Sequence, residues 1–390
     1  MVVQRHAPAA PTRTLTIKTA NFVHSNYTDV IIACAPVPAS FSWNRVALTV
    51  HPFRRPAPAF HPSHFCMKKL IFAAPGVPAL VDEAMPVPTA DALLLRTLYS
   101  GISNGTERNQ MLAGNYNARA DFPFRQAGYQ TVSEVVDIGS AVTSFAVGDK
   151  VVTGTFGTHC AYHLAKETDL VTRLPAGFDL PAGALASVAA VALHNVRRAA
   201  IGSPDKVMIC GAGPIGLLAL QWVKRTGAGA VVLSRSDRAA ALARELGADD
   251  VGYGDAAAQA AFIQKHRPCT VAIETSGAPE VIDAIVGINW GEGLFKPRSR
   301  PRLVVLAGNW RVSYSCNAAQ ASELALLHAV HFSLEDQQTV VDSIADGSLR
   351  VRPFIQDVVP VSEIVPTYEK LRDHPDQLFG TVIDWTTLPA

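Results

Sequence analysis

The chain has 390 residues, beyond the size at which one hydrophobic core keeps growing, so two packed units are expected. Apolar residues at 48% and charged residues at 17% can fill such cores, which excludes disorder over most of the length. Lys plus Arg number 34 against 33 for Asp plus Glu, a balance with no field to collect nucleic acid or an anionic membrane.

Residues 1–66 do not read like the rest. They hold none of the 27 glycines, no Glu, and only Asp29 as an acid, with prolines clustered at 8 to 11 and 52 to 62. Without Gly to make turns, the stretch lacks the punctuation of a compact domain. At position 67 the text changes to Met67-Lys68-Lys69-Leu70-Ile71-Phe72, a basic start running into a strand-like segment, and Met67 is read as the working start. The extension 1–66 is then a non-native or disordered upstream stretch, or a leader whose prolines make a poor amphipathic helix.

From Lys68 to about Leu174 short strands alternate with Gly and Pro: Leu93–Tyr99, Thr131–Ile138, Lys150–Thr153 and Tyr162–Leu164. A Gly148-Asp149 turn delivers the chain into Lys150-Val151, with Phe145 and Val147 on one face. This is a β-rich unit. After Pro181 an Ala-rich helix, 182–200, opens a stretch in which strands at 206–210, 230–234, 270–274 and 303–307 alternate with helices at 214–226, 237–247 and 279–287. Such alternation builds a parallel sheet covered on both faces. From Val351 to Trp385 strand-like text returns and is expected to close back on the first unit.

The strand Val207–Cys210 runs into Gly211-Ala212-Gly213-Pro214-Ile215-Gly216, a G-x-G-x-x-G loop that opens an apolar helix. Gly211 permits the tight turn, Gly213 lets backbone amides approach a pyrophosphate, and Gly216 lets helix and strand pack closely. Free amides at the helix start, at Ile215 and beyond since Pro214 has no N–H, then meet phosphate charge. Enzymes that choose NAD usually end the second strand in an acid; here Val231-Val232-Leu233 ends in Ser234-Arg235-Ser236, with Arg238 nearby. Ser234, Arg235 and Arg238 can donate hydrogen bonds to a 2′-phosphate, so NADP is favoured over NAD, although Asp237 lies close enough to reach a ribose.

The order of the β-rich unit, Gly148-Asp149-Lys150-Val151, the loop 211–216 and Leu246-Gly247-Ala248-Asp249 resembles the medium-chain dehydrogenase/reductase superfamily, over about Met67 to Trp385. The resemblance implies an α/β protein: a GroES-like catalytic domain at 67–180 and 340–390, and a doubly wound Rossmann domain at 181–339, with a nicotinamide cofactor between them. It also implies a homodimer joined through Rossmann edge strands. Zinc members carry Gly-Ile-Cys, Gly-His-Glu and a later Cys. Here those places read Gly101-Ile102-Ser103, Gly128-Tyr129-Gln130 and, by spacing from Leu193, Ser187. Neutral hydroxyls are poor zinc ligands, so no catalytic zinc is expected, with His159 and His163 as a remote alternative pair. The run Ser100-Gly101-Ile102-Ser103-Asn104-Gly105-Thr106-Glu107 and the ending Phe379–Trp385 look similar to a zinc-lacking branch that includes bacteriochlorophyllide dehydrogenases.

Without zinc, hydride transfer to a carbonyl needs another group to neutralise the alkoxide. Tyr129 is the first candidate, with Ser103 as a second hydroxyl and Glu107 as an acid or as the group that orients Tyr129. Each also has an ordinary use: Tyr129 as a pocket wall, Glu107 as a helix cap or a partner of Arg108. The usual relay position falls on Gly105, and His194 is either a surface residue or one that approaches the cofactor. Six cysteines, at 34, 66, 160, 210, 269 and 316, form no CxxC pair and read as reduced thiols of a cytoplasmic protein. No apolar run is long enough to span a membrane. The leading expectation is an NADP(H)-dependent oxidoreductase acting on a small alcohol or carbonyl. A quinone or enoyl reductase, and a protein that binds NADPH without turnover, remain open. The basic stretch 288–301, with Lys296, Arg298 and Arg300, is read as a solvated insertion or a substrate loop.

Overall fold

The computed structural model describes residues 66–114, 121–266, 269–287, 302–306, 313–321 and 323–388. The extension 1–65 and the basic stretch 288–301 lie outside them.

Six strands form a parallel sheet: β1 (Lys206–Cys210), β2 (Gly229–Ser234), β3 (Asp250–Tyr253), β4 (Val271–Glu274), β5 (Arg302–Leu306) and β6 (Leu324–His328). Their order is β3-β2-β1-β4-β5-β6, so the chain reverses direction across the sheet between β1 and β4. Central strands covered on both faces need unbroken apolar runs, and β1 is buried from Val207 to Cys210 and β4 throughout. At the reversal the helices leaving β1 and β4 diverge, which opens a crevice at the carboxyl ends of those strands.

A second, seven-stranded sheet is built from Ala92–Gly101, Thr131–Ile138, Lys150–Thr153, Tyr162–Lys166, Val171–Arg173, Asp357–Pro360 and Thr381–Asp384. Ala92–Gly101 is its central strand, buried on both faces and paired to three neighbours. One of these comes from the tail, where Ile383 pairs with Ser100 and Asp384 with Tyr99. The hairpin Cys66–Ala74 and Val77–Ala84 packs beside it, with Leu70 and Phe72 fully buried.

Helix α1 (Asn104–Met111) follows the central strand directly, starting at Ser103. Helix α2 (Ala186–Arg198) buries Ala186, Ala189, Ala190 and Ala192 and packs on α3 (Pro214–Arg225), whose Leu217 to Leu220 are fully buried. Small side chains on α2 let the two axes approach. Helix α4 (Asp237–Glu245) follows β2, capped by Ser236. Helix α5 (Leu334–Ala345) spans the position 339/340 at which the sequence reading placed a boundary, and it packs on α2. Its start carries a capping box, Ser333 with Asp336. Helix α6 (Ile364–Asp373) precedes the last strand.

Among the described residues, none of the five cysteines is in a disulfide and no helix is long and apolar enough to cross a membrane.

Candidate active site and cofactor cleft

A cleft of about 670 Å3 opens at the carboxyl ends of β1, β2 and β4. Its floor is Gly211-Ala212-Gly213, one side is Leu233 to Ser236, and another is Thr275 and Ser276. Pro375, Asp376, Leu378 and Phe379, from the tail, form a third wall, and residues after β3 and β4, Asp255 and Glu280 among them, line the cleft as well. Gly211 holds φ +108°, and a Cβ there would lie 2.5 Å from Thr275 Oγ1. A Cβ on Gly216 would lie 2.0 Å from the Gly211 carbonyl oxygen. Around a Cβ on Gly213, by contrast, there is no heavy atom within 4 Å. Two glycines are therefore required by packing, and the middle one leaves backbone open to the cleft, where the unpaired first-turn amides of α3 begin. This fits a dinucleotide pyrophosphate, with Gly211, Gly213, Pro214, Ile215 and Gly216 as the residues that would hold it.

The three residues expected to choose between cofactors are placed differently from one another. Arg235 is exposed and lines the cleft. Ser234 is buried, and its hydroxyl donates to the Ser236 carbonyl at 2.8 Å and accepts from the Ser236 amide at 3.2 Å. Arg238 donates to Gln356 Oε1 at 2.6 Å and lies 5.0 Å over the Phe379 ring, tying α4 to the tail. Asp237 does not line the cleft.

Sequence reasoning missed Thr275, Ser276 and Glu274. Glu274 is fully buried at the end of β4 and accepts from the Ser276 amide at 2.7 Å and the Gly277 amide at 3.1 Å. Thr275 Oγ1 then donates to the carbonyl oxygens of Gly211 and Cys210, at 3.0 and 3.1 Å, and locks the glycine loop from beside it. Their position just after the fourth parallel strand, across the chain reversal, was the available signal.

The hydroxyl pair lies at the head of α1. Tyr129 donates to Ser103 Oγ at 3.0 Å, and the two residues are 5% and 7% exposed. Asn104, next in the chain, donates to the carbonyl of the cleft residue Leu378 at 2.8 Å, so this corner is tied to the cleft wall. None of Ser103, Tyr129 and Glu107 lines the cleft itself. Glu107, fully buried, accepts from the Ser103 amide at 2.8 Å, from His159 Nε2 at 2.9 Å, and from the Tyr368 hydroxyl. His159 Nδ1 meets Ser100 Oγ at 2.8 Å, and Ser100 accepts from Trp385 Nε1 at 2.7 Å. Trp is only a donor, so Ser100 can pass its own proton to His159 Nδ1. In a neutral ring that places the imidazole proton on Nε2, facing Glu107, and no two lone pairs oppose each other. Burial, and then the Glu107 carboxylate beside it, push the Tyr368 phenol well above its ordinary pKa. Arg108 does not pair with Glu107; it donates to the Leu371 and Arg372 carbonyls at the end of α6.

The three places where the resemblance to zinc dehydrogenases puts metal ligands carry Ser103, Tyr129 and Ser187. Ser187, in the first turn of α2, is buried and donates to the Thr153 carbonyl at 3.4 Å. Three neutral hydroxyls, on Ser103, Tyr129 and Ser187, do not fit a zinc site. His159 has both nitrogens engaged, and His163 contacts Thr97 Oγ1 at 3.3 Å and Thr153 Oγ1 at 3.5 Å. Among the described residues no three His, Cys, Asp or Glu side chains are grouped to hold a metal ion. His194 meets Asp336 Oδ2 at 2.8 Å and, with Arg197, clamps α2 to α5.

Comparison with known proteins agrees with this architecture. Residues 89–200 match the alcohol dehydrogenase GroES-like domain family, and residues 214–288 match the zinc-binding dehydrogenase family. The 2-dehydro-3-deoxy-L-galactonate 5-dehydrogenase of Pseudoalteromonas atlantica is 27% identical over 337 residues, covering 78% of this chain and 94% of that protein. A structure from Sinorhizobium meliloti 1021 bound to NADP superposes with a TM-score of 0.69 at 20% identity, over 82% of this chain and 100% of that one. An alcohol dehydrogenase from Escherichia coli CFT073 complexed with NADH gives 0.69 at 15% identity, over 82% and 99%.

Proposed function

This chain belongs to the medium-chain dehydrogenase/reductase superfamily of oxidoreductases, and we propose that it moves a hydride between NADP(H) and an alcohol or carbonyl substrate without a catalytic zinc. The observation that carries the reading is the Tyr129–Ser103 hydroxyl pair, 3.0 Å apart, standing where zinc relatives have metal ligands. When bound, the nicotinamide gives or takes the hydride at the substrate carbon. Reduction leaves an alkoxide that must gain one proton, and oxidation requires the hydroxyl proton to leave. Because Tyr129 donates to Ser103, the Ser103 O–H stays free to face the substrate oxygen. A proton passed from Ser103 to that oxygen is replaced from Tyr129, whose phenolate takes one back from solvent before the next turnover, and the reverse path, releasing the proton to solvent, serves oxidation. Glu107 acts through Ser103 as a positioning residue, since its carboxylate grips the amide of the residue whose hydroxyl reacts.

The preference for NADP rests on Arg235, the cation exposed on the cleft wall at the end of a strand that lacks a carboxylate there. Ser234 shapes that turn through its own hydrogen bonds, and Arg238 holds the tail wall of the cleft. Strand β6, at the outer edge of its sheet, supports pairing with a second copy as a homodimer; a solution mass near 41.6 kDa would remove that part of the reading.

The test is turnover of a ketone and a matched enone with NADPH and with NADH, before and after chelation. Activity is expected on the ketone, with NADPH, and in the presence of chelator. Tyr129→Phe is expected to lower kcat at least about tenfold with NADPH affinity unchanged. An unaltered kcat removes the hydroxyl pair from the chemistry, reduction of the enone alone replaces the reading with C=C reduction, and activity restored only by added zinc overturns it.

A further inference from the structure

The tail wall of the cleft hangs on a side chain that does not itself face the cofactor. This wall is the turn between α6 and the last strand, from which Pro375, Asp376, Leu378 and Phe379 line the cleft. Two points of it are fixed. A Cβ on Gly380 would lie 2.1 Å from the Phe354 carbonyl oxygen, so the two backbones touch there, and the Leu378 carbonyl accepts from Asn104 Nδ2 at 2.8 Å. Elsewhere the turn is carried by Gln356, whose Nε2 donates to the Gln377 carbonyl and whose Oε1 accepts from the Phe379 amide. Both bonds are 3.3 Å, longer than a good hydrogen bond. Arg238 reaches the turn from the first turn of α4, the helix that continues the Leu233–Ser236 side of the cleft. It donates to the same Gln356 Oε1 at 2.6 Å and lies 5.0 Å over the Phe379 ring. Both partners, an amide oxygen and a ring face, are neutral. Arg238 is exposed, and neither it nor Gln356 lines the cleft, so the pair bridges two walls from outside the ligand's space.

We propose that Arg238 and Gln356 are positioning residues that form a latch: resting on the reading of the cleft as the nicotinamide cofactor site, their bond joins α4 to the tail turn and sets how fast the cofactor leaves. A wall fixed at 378 and 380 and otherwise carried by 3.3 Å bonds moves at little cost, and the strong contacts at its free edge are the charge-assisted 2.6 Å bond and the guanidinium over the ring. Water can replace both contacts at the surface, so the edge opens often enough for a cofactor to come and go. Arg238 therefore works differently from Arg235, which lines the cleft. A cation in the cleft distinguishes cofactors by the 2′-phosphate. A latch on the wall slows the release of NADPH and NADH alike, because it acts on the wall and not on the ligand.

The test times the release of bound NADPH and of bound NADH, each followed by its fluorescence in a stopped-flow instrument after mixing with an excess of the oxidised cofactor. Arg238→Ala is expected to speed the release of both at least about tenfold, and Gln356→Ala, which removes no charge, at least about threefold, with the NADPH and NADH factors agreeing within about twofold. The double variant is expected to fall short of the product of the two single factors, since both act on one bond. Arg238→Lys keeps the charge and loses the planar fork, so it should lie between wild type and Arg238→Ala for both cofactors; it carries the comparison where Gln356→Ala fails to fold. Where NADH is held too briefly to time, the Gln356→Ala factor on NADPH decides alone. An Arg238→Ala effect confined to NADPH makes Arg238 a contact of the 2′-phosphate and overturns the latch. Wild-type release rates in Gln356→Ala, or in Arg238→Lys where that variant stands in, overturn it too, and each of these results leaves the cofactor site intact. A wild-type protein that binds neither NADPH nor NADH overturns the reading of the cleft and the latch with it.

Discussion

Glu107 sits in the interior with no exposed surface, among three donors, and its Oε1 and Oε2 are both committed. Burying a carboxylate is tolerable only with such a set, and removing one oxygen leaves donor facing donor. Glu107→Gln is therefore expected to cost about 1–3 kcal/mol in a urea titration. If Glu107 were the acid, that change would also delete one limb of the pH–kcat profile. As a positioning residue it should lower kcat and leave both limbs in place. Profiles that lose a limb would return Glu107 to the chemistry. Tyr129 and Ser103 stand out in the sequence because they occupy motif positions whose usual residues are absent, and Glu107 because it lies in the run that follows Ser103. The partners of Glu107 do not, since His159 and Tyr368 reach it from 52 and 261 residues away in the chain.

The loop and helix at 211–225 show how far a pattern in the sequence reaches. Its glycine spacing and the apolar run Leu217–Val223 predict strand, turn and helix, and all three form. The partner holding the loop, Thr275, is 59 residues beyond Gly216 and was found only once β4 lay against β1. The same geometry separates packing from binding. Gly216→Ala drives a Cβ against the Gly211 carbonyl at 2.0 Å and is expected to lower stability by about 1–3 kcal/mol. Gly213→Ala meets nothing within 4 Å, so the free protein should melt within a degree or two of wild type. Its added methyl faces the cleft, and NADPH affinity should fall at least about tenfold. Equal melting losses in both variants, or full NADPH affinity in Gly213→Ala, would contradict this division of labour.

Across the whole molecule the β-rich sheet holds a polar interior that its alternating pattern did not announce. Thr97, Thr131, Ser133, Thr153 and His163 are all buried within it. Strand patterning marks such positions as inward-facing and cannot say whether hydroxyls or methyls fill them, because the hydrogen bonds that satisfy them come from the neighbouring strands. This interior makes the fold sensitive to acid. Burial, and then the charge of Lys69, lower the His163 pKa from 6.5 to about 4. The unfolded chain therefore takes a proton on His163 below pH 6.5 and the folded chain only below about 4. Between those values the unfolded state binds more protons, so stability drops as pH falls through the window and rises as pH is raised. For this one group the loss reaches at most about 3 kcal/mol at the bottom of the window. His163→Gln keeps a polar side chain there and removes the titration. The stability difference between wild type and His163→Gln, read from urea midpoints, should shift against the wild type by about 2–3 kcal/mol between pH 7 and pH 4.5. A difference that stays constant across that range would mean that His163 titrates alike in both states and is not sealed from water.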